Sequence, residues 1–184
     1  AADDRASGDL GLYLTPNQFS RILEELYNNN YVLVDAESLV DLTNEEYLVE
    51  KNLLVPEGKK PVIIVLENLD YSVKNMKAGA CIKLVVNDQG QVCGQYINSE
   101  GDEVVQRSAE AIGILDAFVE THTDFSFNGA KGVISLSGYE SCFGYVVDED
   151  QIDDHNFALN TIGKPSETIT TADIEVNKNA VSQI

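Results

Sequence analysis

Pro61-Val-Ile-Ile-Val-Leu66, followed directly by Glu67-Asn-Leu-Asp-Tyr71, is the stretch that decides the fold of this chain. Its apolar residues run on without polar alternation, which predicts a strand buried on both faces, as in a parallel sheet. Parallel strands carry chemical groups at their carboxyl ends, because side chains there point into the mouth of the fold. Here that end holds Glu67, Asn68 and Asp70, so the sequence predicts either a functional site or a simple acidic turn.

The charge balance of the chain excludes several classes of partner. Among 184 residues, 12 are Lys or Arg and 31 are Asp or Glu, which gives a net charge of −19. A field of that sign repels nucleic-acid phosphates and anionic membrane surfaces, so no nucleic-acid partner is expected. No apolar run approaches the roughly 20 residues that a membrane helix needs, so no membrane span is expected. Hydrophobic residues make up 43% of the chain, enough for one domain with a sizeable core.

The sequence predicts a polar, flexible N-terminal segment (residues 1–11) followed by a single α/β domain (12–184), or by the N-terminal portion of a larger one. The chain starts with Ala1 rather than Met, and its one methionine is Met76. This start fits a processed, exported protein, and it fits a cloning boundary equally well.

Local signals predict most of the helices and strands. Thr15, Pro16 and Gln18 predict a capped helix start, and an apolar stripe of Phe19, Ile22, Leu23 and Leu26 follows at helical spacing. The other predicted elements are a strand over 31–34, a helix near 44–51, an antiparallel hairpin over 81–97, a helix over 102–120 with Val105 on its core face, a buried strand over 132–137, an irregular acidic stretch over 147–170 and a final capped stretch from Thr170.

The three cysteines are expected to be free thiols. A hairpin loop over residues 87–90 places Cys81 opposite Tyr96 and Cys93 opposite Leu84. The thiols of Cys81 and Cys93 then point to opposite faces of the hairpin, which disfavours a disulfide between them. Cys142 lies in a different element, so we expect buried free thiols.

The order of strands and helices predicts an α/β fold class. Only two central strands, 61–66 and 132–137, are convincing, which is too few for a closed barrel. We therefore expect a partial (β/α) barrel-like sheet with a β-hairpin insertion, incomplete within this chain. Because an incomplete sheet exposes strand edges, the expected partner is the remaining part of a larger chain or a second copy in a homo-oligomer.

The histidines give little sign of a metal site. His122 and His155 are too far apart in sequence to form a metal-binding pair, and neither has a Cys or a second His at ligand spacing. His122 follows a predicted helix end and is expected to cap it, whereas His155 is expected to be a solvated loop residue. The chain also has no Gly-x-Ser-x-Gly elbow and no glycine-rich phosphate loop.

A second polar group, Gly138-Tyr-Glu140, follows the predicted strand 132–137. If the two central strands are parallel neighbours, Tyr139 and Glu140 meet Glu67 and Asp70 at one edge of the sheet. Paired carboxylates can serve as acid and base, although acidic loop ends are also expected in a chain of this charge. The aromatic residues near these strand ends, Tyr71, Tyr139, Phe143 and Tyr145, suit either stacking on sugar rings or ordinary packing.

Several of these segments together resemble the polysaccharide deacetylase-like proteins, the family with the NodB homology domain. The resemblance rests on residues 14–34, 56–61, the strand end 67–71, and the blocks 122–140 and 144–145, and it covers most of residues 12–146. The family has a deformed (β/α) barrel and removes acetyl groups from N-acetylated sugars with a divalent metal such as zinc. The resemblance therefore implies a carbohydrate partner and an extracellular or cell-envelope location.

The first motif of that family is degenerate in this chain. The family's strand ends in two Asp residues, a base and a metal ligand, and these positions fall on Glu67 and Asn68. Glu can accept a proton, but Asn is a neutral, weak ligand. On the same resemblance, Asp70, Tyr71, Tyr139 and Glu140 are candidate substrate-binding residues.

The family's paired histidine ligands do not occur within this chain, which resembles an N-terminal portion of the family domain. The resemblance therefore implies either a deacetylase-like protein that is inactive as this chain, or a non-catalytic module. Such a module would bind glycan or protein and would oligomerise through an open sheet edge.

Overall fold

The structure is a computed structural model that describes residues 14–184, apart from residues 42, 44–46, 48, 74–75 and 77–78. The predicted flexible segment 1–11 lies outside the described residues. The helices are α1 (Pro16–Asn28), α2 (Ala111–Thr121), α3 (Ile152–Thr161) and α4 (Thr171–Val181). The strands are β1 (Tyr31–Leu33), β2 (Val40–Asp41), β3 (Val49–Glu50), β4 (Lys60–Val62), β5 (Val65–Glu67), β6 (Cys81–Val86), β7 (Val92–Ile97), β8 (Glu103–Gln106) and β9 (Val133–Ser135).

These elements form a mixed α/β fold with several small sheets, and no closed barrel forms among the described residues. β1 pairs with β4 and β5 pairs with β9, both in parallel. β2 pairs with β3, and β6, β7 and β8 form a three-stranded antiparallel sheet. No described helix is both long and apolar enough to cross a membrane.

The segment 60–67 forms two short strands rather than one strand buried on both faces, so that prediction is wrong. Its first half pairs with β1 and its second half with β9. Val62, Ile64 and Leu66 pack against the main core, whereas the intervening Val65 is 50% exposed. Alternate side chains thus point to opposite faces, and core packing covers only one of them.

The first helix begins as the sequence predicts. The Thr15 hydroxyl accepts a hydrogen bond from the Gln18 backbone at 3.2 Å, and the Gln18 side chain accepts one from the Thr15 backbone at 2.8 Å. Phe19 and Leu23 on the predicted stripe are buried, and Ile22 at its edge is 40% exposed. Phe19 and Leu23 join the main core cluster, whose buried members are Phe19, Leu23, Leu33, Ile114, Leu115, Phe118, Phe125 and Ala130.

The predicted helix over 102–120 is only partly correct. Its first part is β8, which pairs with β7, and helix α2 starts at Ala111. A turn held by the Asn98 side chain, which accepts a 2.9 Å hydrogen bond from the Asp102 backbone, sends the chain back along β7. Val105 is therefore 47% exposed on a strand instead of lying on the core face of a helix.

Two other predicted segments differ from the structure. Near 44–51, residues 44–46 and 48 lie outside the described residues, and Val49–Glu50 is a strand rather than a helix. The stretch 147–170 contains helix α3 and is not irregular throughout. Acidic residues in the first turn of α3 suit the helix dipole, which explains how so polar a segment forms a helix.

The predicted hairpin and the final helix are both confirmed. β6 and β7 are antiparallel and place Cys81 opposite Tyr96, but a bulge after Cys81 moves Cys93 opposite Val85 instead of Leu84. All three cysteines are free, with Cys81 and Cys93 buried and Cys142 half-buried. Helix α4 starts with a Thr170 capping box and buries Ile174.

Candidate functional site

The carboxyl ends of β5 and β9 lie side by side, as predicted from the sequence. The strands pair in parallel with Glu67 opposite Ser135. The Asn68 backbone donates a 3.2 Å hydrogen bond to the Ser135 carbonyl, and the Ser137 hydroxyl donates to the Asp70 carboxylate. The two loops that follow the strands are therefore joined where the predicted site residues lie.

A cleft of about 680 Å³ lies at this edge of the sheets. All six candidate site residues of the sequence analysis line it, namely Glu67, Asn68, Asp70, Tyr71, Tyr139 and Glu140. Ser72, Cys81, Glu110 and Ser137 also line it, and these were not predicted. The volume falls within the range that small-molecule sites occupy.

Four buried polar atoms in this cleft make no hydrogen bond to any described residue. They are Oδ1 of Asp70, the hydroxyl of Tyr71, Oγ of Ser72 and Oε2 of Glu140. A buried polar atom without a partner costs free energy, and native proteins hold few of them. Their concentration in one cleft indicates a surface that is complementary to a polar ligand.

Tyr71, Cys81 and Glu110 line the cleft and influence one another electrostatically. Burial raises the pKa of the Tyr71 hydroxyl well above its usual range, and the nearby Glu110 carboxylate raises it further. Burial, and then the same carboxylate, also raise the pKa of the Cys81 thiol. Both groups are therefore neutral at neutral pH. They act as hydrogen-bonding groups, and Cys81 is not an activated nucleophile.

Glu110 reaches the cleft because it caps helix α2. Its carboxylate accepts a 2.7 Å hydrogen bond from the Ala111 backbone at the start of that helix. Glu110 was not predicted as a site residue, because the predicted helix over 102–120 ran through it without a break. A helix break predicted at residues 107–110 would have placed Glu110 just before the start of α2.

The backbone around the cleft is unusually strained. Asn68, Tyr71, Glu140 and Phe143 have φ between 54° and 64°, in the left-handed region. Asn tolerates this conformation, but Tyr, Glu and Phe rarely adopt it. Strain of this kind persists only where the surrounding structure fixes the backbone, and it is concentrated at functional sites.

The loop after β9 is fixed by bonds to two elements. The Phe143 backbone donates to the Leu69 carbonyl at 3.1 Å, and the Leu84 backbone donates to the Phe143 carbonyl at 3.0 Å. Phe143 is itself buried in a cluster with Leu69 and Leu84, and Tyr145 packs on that cluster. Of the aromatic residues considered for stacking, Phe143 and Tyr145 thus serve packing, whereas Tyr139 is 72% exposed at the cleft.

The two histidines have different roles from each other. His122 caps α2 as predicted, with Nδ1 3.1 Å from the Phe118 carbonyl oxygen and its ring stacked on Phe118 at 4.1 Å. His155 is half-buried on helix α3 instead of solvated in a loop, so that prediction is wrong. Burial lowers the pKa of His155, and the nearby Glu140 carboxylate opposes this shift.

The described residues do not fit a divalent metal. Glu67 and Asn68 supply a carboxylate and an amide oxygen at the predicted positions, but nowhere in the described part of the chain do three His, Cys, Asp or Glu side chains group as a metal site would require. Catalytic zinc sites use three protein ligands.

A second concavity, of about 610 Å³, lies along the outer face of α1 and includes Ile22, Leu26 and Tyr31. It holds none of the buried, unpartnered polar atoms found among the described residues, so the cleft is the stronger candidate.

Comparisons of this chain with protein-family models, curated proteins and solved structures give no match. The case for function therefore depends on the cleft and on the resemblance described from the sequence.

Proposed function

We propose that this chain is a polysaccharide deacetylase-like protein that binds carbohydrate in the cleft between the ends of β5 and β9, without hydrolysing it. The observation that carries the proposal is the pairing of an exposed aromatic ring, Tyr139, with the buried, unpartnered oxygens of Asp70, Tyr71 and Glu140. A sugar ring has an apolar face that stacks on an aromatic side chain. Its hydroxyl groups donate hydrogen bonds to carboxylates, so both halves of the cleft have a partner on one ligand.

The proposed fold is a partial (β/α) barrel-like sheet with the β6–β7 hairpin inserted. Its support is the stagger of segment 60–67, which pairs with β1 through its first half and with β9 through its second half. Offsets of this kind accompany the tilt of strands around a barrel. An extracellular or cell-envelope location is part of the same proposal, because polymeric glycans are found there.

Calorimetric titration of the full chain with N-acetylglucosamine oligomers tests the proposal. Tyr139→Ala should weaken binding about tenfold, because an aromatic contact is worth roughly 0.5–1.5 kcal/mol beyond its buried area. Phe157→Ala is the matched control, since Phe157 is 74% exposed on α3 and does not line the cleft. Absence of binding by the unaltered chain, or equal losses in the two variants, would refute the proposal.

Deacetylation with a divalent metal such as zinc is the second candidate. Its support is that Glu67 and Asn68, at the family's base and ligand positions, line the same cleft as Asp70 and Glu140. The described residues lack a third ligand, so we assign no catalytic step. Two measurements decide between the candidates: calorimetric titration of the chain with zinc, and acetate release from the same oligomers. Acetate release by the unaltered chain that disappears in Glu67→Gln would favour the deacetylase over the non-catalytic binding protein.

Association with a second copy of the chain is the remaining proposal. Its support is the exposure of Val65 on β5, of Ile134 on β9 and of Leu136 just after it, which are 50%, 40% and 40% exposed. Exposed apolar strands recruit partners. Light scattering at micromolar concentration tests it, and a monomer throughout would remove it.

A further inference from the structure

We propose that the cleft discriminates by charge and prefers sugars that carry a free, protonated amine over their N-acetylated counterparts. The inference rests on the proposed carbohydrate function and assigns the chemical class of its ligand. It concerns the charge of the cleft rather than its shape.

The described lining of the cleft holds four carboxyl side chains and no basic one. They are Glu67, Asp70, Glu110 and Glu140, and none of the described lining residues is Lys, Arg or His. None of the four has an ion-pair partner within the described part of the chain. The ion pairs found there all lie elsewhere and join Lys59 to Asp124, Arg107 to Glu120, Lys131 to Asp116, Lys164 to Glu167 and Lys178 to Glu175.

Acidic residues alone would be unremarkable in a chain of net charge −19. What distinguishes these is that buried acceptor atoms, Oδ1 of Asp70 and Oε2 of Glu140, have no donor among the described residues. The buried hydroxyl of Tyr71, which lines the same cleft, is also without a hydrogen-bond partner there. Water solvates an exposed carboxylate, but a buried acceptor needs a donor at a fixed position.

An ammonium group meets these requirements better than an acetamide. It carries three donors and one positive charge, so it can donate to carboxylate oxygens of both Asp70 and Glu140 and offset part of their negative charge. The N-acetyl group is neutral and has only one N–H donor, and it adds a carbonyl acceptor to a cleft already rich in acceptors. The protonated Tyr71 hydroxyl can still donate a hydrogen bond to an oxygen of the sugar ring. The sugar ring and its amine then have separate hydrogen-bonding partners in the cleft.

The neighbouring histidine does not change the sign of this field. His155 faces Glu140 from helix α3, and its burial lowers its pKa, so it is mainly neutral at neutral pH. At neutral pH, His155 therefore adds little positive charge beside the four carboxyl side chains.

The test is a pair of calorimetric titrations of the full chain, one with a fully deacetylated glucosamine oligomer and one with the N-acetylated oligomer of equal length. We expect the amine form to bind at least about tenfold more tightly at low salt. That preference should shrink in about 0.5 M salt, because added ions screen charges at distances beyond a few ångströms. The affinity of the neutral oligomer should hardly change.

Charge-neutralising variants distinguish the effect of the carboxylates in the cleft from the effect of the net charge of the chain. Glu140→Gln should bring the affinities for the two oligomers close together, because the neutral amide cannot pair with the ammonium charge. Glu67→Gln, at an exposed position in the same cleft, should reduce the preference and guards against a folding defect in the first variant. Glu103→Gln changes the net charge equally on the exposed strand β8 and should leave the preference intact.

Equal binding of both oligomers would overturn this inference and leave the proposed carbohydrate function standing. A preference for the N-acetylated form would do the same. An equal loss of preference in Glu103→Gln would assign the effect to the net charge of the chain and would also overturn it. Absence of binding by either oligomer would refute the proposed function itself, and this inference with it.

Discussion

Replacing Gly144 with alanine should destabilise the fold strongly, because the backbone of another element lies against that glycine. Gly144 has φ +86°, and a Cβ atom there would lie 2.6 Å from the Lys83 Cα and still closer to the Ile82 carbonyl oxygen. Backbone atoms in a paired strand cannot move aside as the end of a flexible side chain can. The substitution must therefore push the loop that carries Tyr139 and Glu140 away from β6.

The magnitude follows from two costs. A left-handed conformation costs a residue with a Cβ about 1–2 kcal/mol, and overpacking a tightly packed site costs about 1–3 kcal/mol. Together they predict a loss of roughly 2–5 kcal/mol, a large share of the roughly 5–15 kcal/mol that stabilises a native domain. At roughly 2–4 °C per kcal/mol for a chain of this size, the melting temperature should fall by about 4–20 °C.

Urea denaturation followed by far-ultraviolet circular dichroism measures this loss, with Gly90→Ala as the matched control. Gly90 has φ +74°, but a Cβ there would meet nothing within 4 Å, so only the conformational cost of about 1–2 kcal/mol remains. The reasoning is refuted if the two substitutions lower the free energy of unfolding equally. A difference of about 1–3 kcal/mol would confirm the close approach of this loop to β6.

Two further predictions concern the core and the pH dependence of stability. Leu23→Ala should lower the free energy of unfolding, measured by urea denaturation, by about 2–5 kcal/mol, because Leu23 is fully buried. Ile22→Ala, at a 40% exposed position on the same helix, should lower it clearly less. Similar losses in the two variants would contradict the assigned core face of the helix. Burial lowers the pKa of His155 in the folded chain, so the unfolded chain takes up a proton at a higher pH than the folded chain does. The contribution of His155 to the free energy of unfolding is therefore fully present above about pH 6.5. It is lost as the pH drops through that value toward the pKa of the folded state. His155→Gln should flatten this part of the curve of denaturation midpoint against pH, and an unchanged slope would rule out His155 as its source.

Features set by neighbouring residues could be predicted from the sequence. The Thr15 capping box joins residues three apart, and the β6–β7 hairpin is closed by a short loop, so each carries its own signal. The predicted register failed by one residue because a bulge after Cys81 leaves no mark in the hydrophobic pattern. Local chemistry thus specifies where an element begins more reliably than how it pairs.

The segment 102–120 shows where local patterns become ambiguous. Its apolar residues fit a helical spacing, but pairing of Val105 with Gln95 in β7 makes the first part a strand. That choice depends on a partner element and on the turn at Asn98, which precedes the segment. Misassigning it also hid Glu110, whose place in the cleft follows from the break between β8 and α2.

The candidate site was largely predictable because one rule of parallel sheets brings the ends of two strands together. Glu67 and Asp70 after one strand, and Tyr139 and Glu140 after the other, do line one cleft. Ser72, Cys81 and Glu110 reach the same cleft from other parts of the fold, and no spacing in the sequence joins them to it. The site residues at the two strand ends followed from strand order, whereas the rest of the lining depends on tertiary packing.

The strained residues give an independent reason to regard this cleft as selected for binding. Glycine or asparagine would adopt the left-handed backbone at the positions of Tyr71 and Glu140 at lower cost, and Asn68 in the same loop does so. A simple acidic turn would therefore be more stable with residues other than these. Tyr71 and Glu140 each add a buried polar atom without a described partner, which is a second cost at the same positions. Two unfavourable features at the same residues are hard to explain by folding alone, but a ligand that bonds to both side chains accounts for them together.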